Sequence, residues 1–238
     1  MALGTIDTNQ IASEAVTVPK VTDQVLTNRN FIINGDMQIW QRATAATAVT
    51  NAYATVDRYK FTENTSGAFT SERSTDTPTG TGYSLKLQCT TADTSMAAGD
   101  YAYVVQNIEA QNLQHLKYGT SSAEKLTLSF HVKSSVTGTY AISVFQQDAS
   151  KYYSTTYTIN SANTWEYKTV KINGNTADVI NNDNGSGLRL AWTLSSGSNF
   201  TSGSNDAWGD STNWAVGHNA SWITTSSATF FLTGTQLE

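Results

Sequence analysis

Apolar and polar residues alternate with a period of two through several stretches of the chain. The clearest examples are "EKLTLSFHVKSS", with Leu126, Leu128, Phe130 and Val132, and "GLRLAWTLSS", with Leu188, Leu190, Trp192 and Leu194. Successive side chains of a β-strand point to opposite faces, so this period predicts strands with one buried face. We expect these residues, together with Phe230 and Leu232, to form the core.

Further strand candidates are separated by residues that favour turns. They are "TGTYAISVFQQD", "YSLKLQC", "DYAYVVQNI", "TWEYKTVKI" and "ATFFLTGTQLE". The first follows "EKLTLSFHVKSS" after Gly138, which predicts a hairpin of these two strands. One short helix is expected in "EAQNLQHL", where Ile108, Leu113 and Leu116 face inward. Many short strands with turns between them predict an all-β fold, a jelly-roll β-sandwich over residues 31–238.

The first thirty residues follow a different pattern. Their apolar positions, about five residues apart, are Ile6, Ile11, Val16, Val18, Val21 and Val25. This spacing fits neither a helix nor an alternating strand, and such a segment cannot bury its apolar side chains by itself. The sequence therefore predicts an extended N-terminal arm over residues 1–30 that anchors the chain to a partner or to further copies of itself.

The chain carries little charge, and this excludes some partners. Charged residues make up 14% of the 238 residues and the net charge is −5, whereas an average protein has about 25% charged residues. Binding to nucleic acid depends on clustered Lys and Arg, which the sequence lacks. No apolar run approaches the ~18 residues of a membrane span. We expect neither nucleic-acid binding nor membrane insertion.

Cysteine content and the N-terminal sequence bear on the compartment. Cys89 is the single cysteine, so an intramolecular disulfide is impossible. The start "MALGTIDTNQ" lacks the basic and apolar regions of a signal peptide. A protein with an uncharged polar surface, no signal peptide and no disulfide is typical of those that assemble in a cytoplasm and are released by lysis. Virion components are such proteins. A soluble bacterial domain is the alternative.

Several segments carry a resemblance to a known family. They are "NRNFIINGDMQIWQR", "VDRYKF", "LTLSFHVKSSVTGTYAISV", "TWEYKTVKI" and "SATFFLTGTQLE". Together they resemble a domain common in tail-fibre and other virion proteins of bacteriophages, which is similar to carbohydrate-binding, galactose-binding-like jelly rolls. The resemblance covers roughly residues 28–238. It implies a virion location, a homo-oligomer that is a trimer, other virion proteins as partners, and host-surface carbohydrate as a ligand.

Residues that could support catalysis are scattered. The histidines, His115, His131 and His218, fall in different predicted elements, and the motifs of hydrolases, nucleotide-binding enzymes and zinc proteases are absent from the sequence. We therefore expect no enzymatic activity and no cofactor.

Two polar segments have a structural and a functional interpretation. "NNDNGSG", from Asn181 to Gly187, offers oxygen ligands for Ca²⁺, but it has a single acid, Asp183. A tight hairpin turn with Asn and Gly at positive φ is the favoured interpretation, so no metal site is predicted. Asp57 and Arg58 precede the apolar "YKF", and we expect an ion pair there that ties two elements together.

The stretch "NDAWGDSTNWAVGHNASWI" places three tryptophans among small polar residues. Trp222 stands beside Ile223 and is expected in the core. Trp208 and Trp214 could stack on the apolar face of a neutral sugar. The polar neighbours that could bind its hydroxyls are Asn205, Asp206, Asp210, Asn213 and His218. The alternative is that Trp208 and Trp214 pack at the end of the sandwich or in a subunit interface.

Three functions remain open at this stage. The first is a bacteriophage fibre or spike subunit whose jelly roll binds host-surface glycan. The second is a head decoration protein, a capsid cement or head fibre, without sugar binding. The third is a cellular carbohydrate-binding module, which would leave the N-terminal arm unexplained.

Overall fold

The computed structural model describes residues 30–209 and 212–238, and the fold lies in the unit Phe31–Glu238. The predicted arm and its apolar positions lie outside the described residues, as does Asp210.

The described residues form twelve strands and two short 3₁₀ helices, Ala110–Leu116 and Ser198–Phe200. The strands are β1 (Ala45–Thr47), β2 (Lys60–Asn64), β3 (Ala68–Ser74), β4 (Ser84–Thr91), β5 (Tyr101–Glu109), β6 (Leu126–Ser134), β7 (Gly138–Gln146), β8 (Lys151–Ile159), β9 (Glu166–Ile172), β10 (Ser186–Ser196), β11 (Trp208–Gly209) and β12 (Thr229–Leu237).

The strands form two six-stranded antiparallel sheets. Sheet I has the order β1-β3-β4-β12-β6-β9, and sheet II has the order β11-β8-β7-β10-β5-β2. Neighbours within a sheet are mostly distant in sequence, as in a jelly roll, where the chain passes repeatedly from one sheet to the other. The predicted jelly-roll β-sandwich is confirmed.

The core lies between the sheets and contains every residue that the alternating pattern placed there. Each of the ten predicted core side chains, from Leu126 to Leu232, is at most 1% exposed. Trp192 occupies the middle, with its ring 6.1 Å from Tyr59 and 6.0 Å from Phe130 between centroids. Trp222 is fully buried and stacks on Phe69 at 5.6 Å, so its predicted place in the core is confirmed.

The predicted hairpin of β6 and β7 is wrong. Strand β6 pairs with β12 and β9 in sheet I, whereas β7 pairs with β8 and β10 in sheet II. The link between β6 and β7 crosses the sandwich, and the Tyr140 hydroxyl bridges it by donating to the Val136 carbonyl at 2.7 Å. The alternation of apolar and polar residues correctly predicted which face of each strand is buried. It did not identify the neighbouring strand, because both inner faces of a sandwich are apolar.

The predicted helix is present as the 3₁₀ helix Ala110–Leu116. Leu113 and Leu116 are buried as expected, and Ile108 is also buried but belongs to β5. The expected ion pair near the start of β2 is present too, since Arg58 binds Glu109 of β5 at 2.8 Å. Asp57 instead binds Arg42, at 2.6 Å.

The segment 181–187 is not a hairpin turn, because it joins β9 of sheet I to β10 of sheet II. None of its residues has a positive φ. Its carbonyls instead hold the start of the 3₁₀ helix: the Gln111 amide donates to the Asp183 carbonyl at 2.8 Å, and the Ala110 amide donates to the Gly185 carbonyl at 2.9 Å.

Within residues 30–209 and 212–238, no helix is long and apolar enough to cross a membrane.

Candidate functional site

Trp208 lies at the edge of sheet II, half-buried. It begins β11, which pairs with β8, and its ring packs against Tyr118 and Tyr153 at centroid distances of 5.8 and 5.4 Å. The indole N–H donates to the Asn173 carbonyl at 2.6 Å. These contacts fix the plane of the ring and leave part of it accessible.

Trp214 packs on the outer face of sheet II and is 8% exposed. Its ring lies 5.7 Å from Tyr101, 5.2 Å from Tyr103 and 5.0 Å from Phe200. With Ala141 these rings form a second, smaller apolar cluster outside the main core. Trp214 thus covers part of the sheet and presents little area to a ligand.

His218 is buried beneath the same loop. The Ala141 amide donates to its Nδ1 at 3.2 Å, and Nε2 lies 2.9 Å from the Ala220 carbonyl. Since Nδ1 accepts, Nε2 carries the proton, which defines one neutral tautomer. Burial lowers the pKa of His218 to about 4. Both ring nitrogens therefore hold the backbone and neither faces a ligand.

The remaining predicted contacts are dispersed over the loop. Asp206 is exposed with a φ of 63°, and Asn205 is half-buried with a side-chain oxygen that has no hydrogen-bond partner among the described residues. Asn213 donates to the Ser202 hydroxyl at 3.0 Å. Of the predicted set, Trp208 and Asn213 line one hollow of about 160 Å³, together with Tyr152 and Ser154.

The sequence analysis missed a row of large side chains that crosses the outer face of sheet II. Asn107 of β5 lies opposite Arg189 of β10, Arg189 opposite Phe145 of β7, and Phe145 opposite Tyr152 of β8. Adjacent strands are ~4.8 Å apart, so the row extends over roughly 14 Å. These residues alternate with core positions along their strands and therefore point away from the core.

Contacts along the row hold its members in place. The Arg189 guanidinium lies over the Phe145 ring at 4.7 Å from the centroid and donates to the Tyr152 hydroxyl at 3.4 Å. The rings of Phe145 and Tyr152 are 4.4 Å apart. Arg189 and Tyr152 are half-buried and Phe145 is 9% exposed. The result is a plate with apolar faces and hydrogen-bonding edges.

A trough of small residues runs beside the row. Val105, Ala191, Ser143 and Ser154 are paired across the same four strands, and each is at most 5% exposed. On the far side stands Tyr103, whose pKa is raised by burial and lowered to a smaller extent by Arg189. The Ser154 hydroxyl has no hydrogen-bond partner among the described residues and lines the hollow beside Trp208. The row, the trough and the hollow form one surface, which we call the sheet II face.

Among the described residues, no three His, Cys, Asp or Glu side chains are grouped as metal ligands.

Comparison with known proteins finds similar solved structures. No protein-family model matches the chain, and no curated protein matches it. A putative sugar binding protein from Bacteroides thetaiotaomicron VPI-5482 has 10% identity and a TM-score of 0.49, over 88% of this chain and 99% of that one. A family 11 carbohydrate-binding module from Clostridium thermocellum, in complex with a β-1,3-1,4-mixed-linked tetrasaccharide, has 12% identity and a TM-score of 0.37, over 82% and 96%.

The enzymatically active domain of tailspike protein 4 of bacteriophage CBA120 has 11% identity and a TM-score of 0.41, over 88% of this chain. This chain spans 21% of that protein's length. At such identities the likeness concerns the course of the backbone alone.

Proposed function

We propose that this protein binds a neutral glycan on the sheet II face. The observation that carries the proposal is the row of Arg189, Phe145 and Tyr152: the half-buried guanidinium plane and phenol ring are partly accessible, carry a hydrogen-bond donor and an acceptor, and are held by the buried Phe145 ring. A sugar ring has the matching surfaces, an apolar C–H face and a rim of hydroxyls. The hollow beside Tyr152, which Ser154 and Asn213 also line, extends the face for a second sugar unit.

The shape of the face supports an extended ligand over a single sugar. The row crosses four strands, from Asn107 of β5 to Tyr152 of β8, and continues into the hollow beside Ser154. A pyranose unit in a chain is about one strand spacing long, so the face has room for a short oligosaccharide.

The test is a glycan array probed with the full chain and with two variants. Tyr152→Ala removes a member of the row, and Tyr167→Ala removes a side chain that is 60% exposed on the opposite sheet. We expect binding to neutral oligosaccharides that is lost with Tyr152→Ala and kept with Tyr167→Ala. Equal binding by both variants, or a blank array, would contradict the proposal.

We further propose that the chain is a subunit of a bacteriophage fibre or spike that displays this glycan-binding domain. The support is the resemblance of "NGDMQIWQR" and "TGTQLE" to virion proteins. A head decoration role without sugar binding and a cellular carbohydrate-binding module are the competing functions. Antibody labelling of intact phage particles separates them: labelled tails support the proposal, labelled heads support decoration, and unlabelled particles support the cellular module.

The same proposal includes a homotrimer held by the arm over residues 1–30. Sedimentation of the full chain should give the mass of three copies, and deletion of residues 1–27 should give a folded monomer. A truncated chain that remains trimeric would place the interface on the sandwich.

A further inference from the structure

A second concave surface lies at the end of sheet II, at the far end of β5 from the Trp214 cluster. It has a volume of about 560 Å³, and we call it the Tyr53 cleft. Its lining includes Ile33, Ile39 and Tyr53, which are 45%, 46% and 38% exposed. The described residues contain five large exposed hydrophobic side chains, and three of them line this cleft. Exposed apolar area is thus concentrated here.

Two guanidinium groups are fixed beside this apolar area. Arg42 lies over the Tyr53 ring at 5.7 Å and binds Asp57 through Nη1. Arg58 binds Glu109 through Nη2. A guanidinium has five N–H donors. Since each Arg donates from one nitrogen within the described residues, most of its donors remain available.

The two carboxylates of the cleft are already occupied. Asp57 accepts from Arg42 at one oxygen and from the Gln41 amide, at 2.7 Å, at the other. Glu109 accepts from Arg58 and, at 3.2 Å, from Asn112. Each carboxylate oxygen of the cleft therefore already accepts one hydrogen bond, whereas each guanidinium uses one of its five N–H donors within the described residues. A ligand that brings acceptors, above all a carboxylate that fits the fork of Arg, complements this arrangement.

The other polar groups indicate what carries that carboxylate. The side chain of Asn107 donates to the Tyr53 hydroxyl at 3.2 Å, and the Ser186 hydroxyl has no partner among the described residues. Amide and hydroxyl groups interleaved with Tyr and Ile side chains suit a hydroxylated ring better than an alkyl chain. An acidic peptide is the competing class of ligand, because Arg clusters also recognise acidic peptide motifs.

We propose that the Tyr53 cleft binds a carboxylate-bearing sugar, with Arg42 and Arg58 contacting the carboxylate and Tyr53 contacting the ring. Asn107 also belongs to the row on the sheet II face, so the two surfaces adjoin. The proposal nevertheless holds whether or not the sheet II face binds neutral glycan, because its charged residues are different.

The first test follows the Arg Nε–H resonances of the ¹⁵N-labelled full chain during titration. The probes are the methyl glycosides of galacturonate, glucuronate and N-acetylneuraminate, with methyl galactoside and methyl glucoside as neutral controls. We expect saturable shifts of Arg42 and Arg58 with at least one carboxylate sugar and none with the neutral sugars. Equal shifts with neutral sugars, or no shift with any of the three acids, would overturn the proposal.

Two further titrations examine competing ligands. Methyl galactoside 6-sulfate tests whether any anion suffices, and tighter binding of it than of the carboxylates overturns the carboxylate assignment. A short acidic peptide tests the other class of partner, and tighter binding of that peptide also overturns the proposal.

Variants then assign the site by calorimetry with the best carboxylate sugar. Arg42→Gln and Arg58→Lys should each weaken binding about tenfold or more, since charge-assisted pairs are the strong contacts of such a site. Arg58→Lys keeps the charge that faces Glu109, so loss of folding is not expected. Tyr167→Ala, on the opposite sheet, should leave the affinity unchanged. Unchanged affinity in both arginine variants would refute the site.

Discussion

Gly35 lies directly against Thr235, and this contact joins "NGDMQIWQR" near the start of the domain to "TGTQLE" at its end. The Thr235 amide donates to the Gly35 carbonyl at 3.1 Å. A Cβ on Gly35 would lie 2.1 Å from the Thr235 carbonyl oxygen. The Thr235 hydroxyl in turn bonds the buried Tyr59 hydroxyl at 2.5 Å. The two most distinctive segments of the sequence therefore meet at a point where any side chain would collide with backbone.

Gly35→Ala should destabilise the domain by about 2 kcal/mol or more, because backbone must move to admit the methyl group. Urea unfolding followed by tryptophan fluorescence measures the change. Gly99→Ala is the matched control, since its nearest neighbour would be 3.8 Å away, and it should change stability by less than about 0.5 kcal/mol. Equal stability of the two variants would contradict the prediction, because it would show that the backbone around Gly35 and Thr235 moves at little cost.

Tyr152 should contribute to glycan binding mainly through its ring. Tyr152→Ala is expected to weaken binding of an array-selected neutral oligosaccharide about tenfold or more, which corresponds to ~1.4 kcal/mol. Tyr152→Phe keeps the contact with Phe145 and removes the hydroxyl that accepts from Arg189, so its loss should be smaller. Calorimetric titration measures both. An equal loss with Phe and with Ala would assign the binding to the hydroxyl.

Trp214 should matter for stability more than for direct ligand contact. Trp214→Ala removes a ring that packs on Tyr101, Tyr103 and Phe200, and such deletions cost about 3–5 kcal/mol in a packed cluster. Thermal unfolding measures the cost, and Trp214→Phe should recover part of it. If Trp214→Ala kept wild-type stability but lost glycan binding, Trp214 would be a ligand contact, as one interpretation of the sequence had it.

His218 should make the domain less stable in mild acid. Its pKa is about 4 in the folded protein, below the ordinary value of about 6.5. The unfolded chain therefore takes up the proton first as the pH falls, and stability present above pH 6.5 is lost towards pH 4. Between pH 6.5 and 5 the loss should be about 1.5 kcal/mol.

Urea unfolding at several pH values measures this loss. His218→Gln should flatten the dependence, because an amide can accept from Ala141 and donate to Ala220 without titrating. His115→Gln, at an exposed position, is the control and should keep it. Burial also lowers the pKa of His131. If His218→Gln keeps part of the pH dependence, the double variant His131→Gln, His218→Gln shows whether His131 causes the remainder. An unchanged slope in His218→Gln would contradict the neutral tautomer as the source.

Cys89 should be unreactive in the folded protein. Its side chain is fully buried beside the carbonyls of Thr91 and Ile223, and burial raises the pKa of the thiol. Since the thiolate is the reactive form, iodoacetamide should label Cys89 only after unfolding. Mass spectrometry with and without urea measures the labelling, and a reducing agent should leave the Tm unchanged. Rapid labelling under native conditions would indicate that β4 opens locally.

The sequence by itself determined which residues are buried. Leu126, Trp192 and Phe230 were identified by alternation, because the direction of a strand side chain follows from the local backbone alone. Trp222 was identified by its apolar neighbour. These inferences need no knowledge of which segments are in contact.

Only the tertiary structure decided which strands are neighbours, and with them the candidate sites. Arg189, Phe145 and Tyr152 come from three strands, and they form a row because the registers of β10, β7 and β8 align them. Register depends on pairing between distant segments, which a period of two leaves undetermined. The same reason explains the wrong hairpin at Gly138. It also explains why Trp214, in a stretch that looked like an exposed loop, packs on the outer face of a sheet.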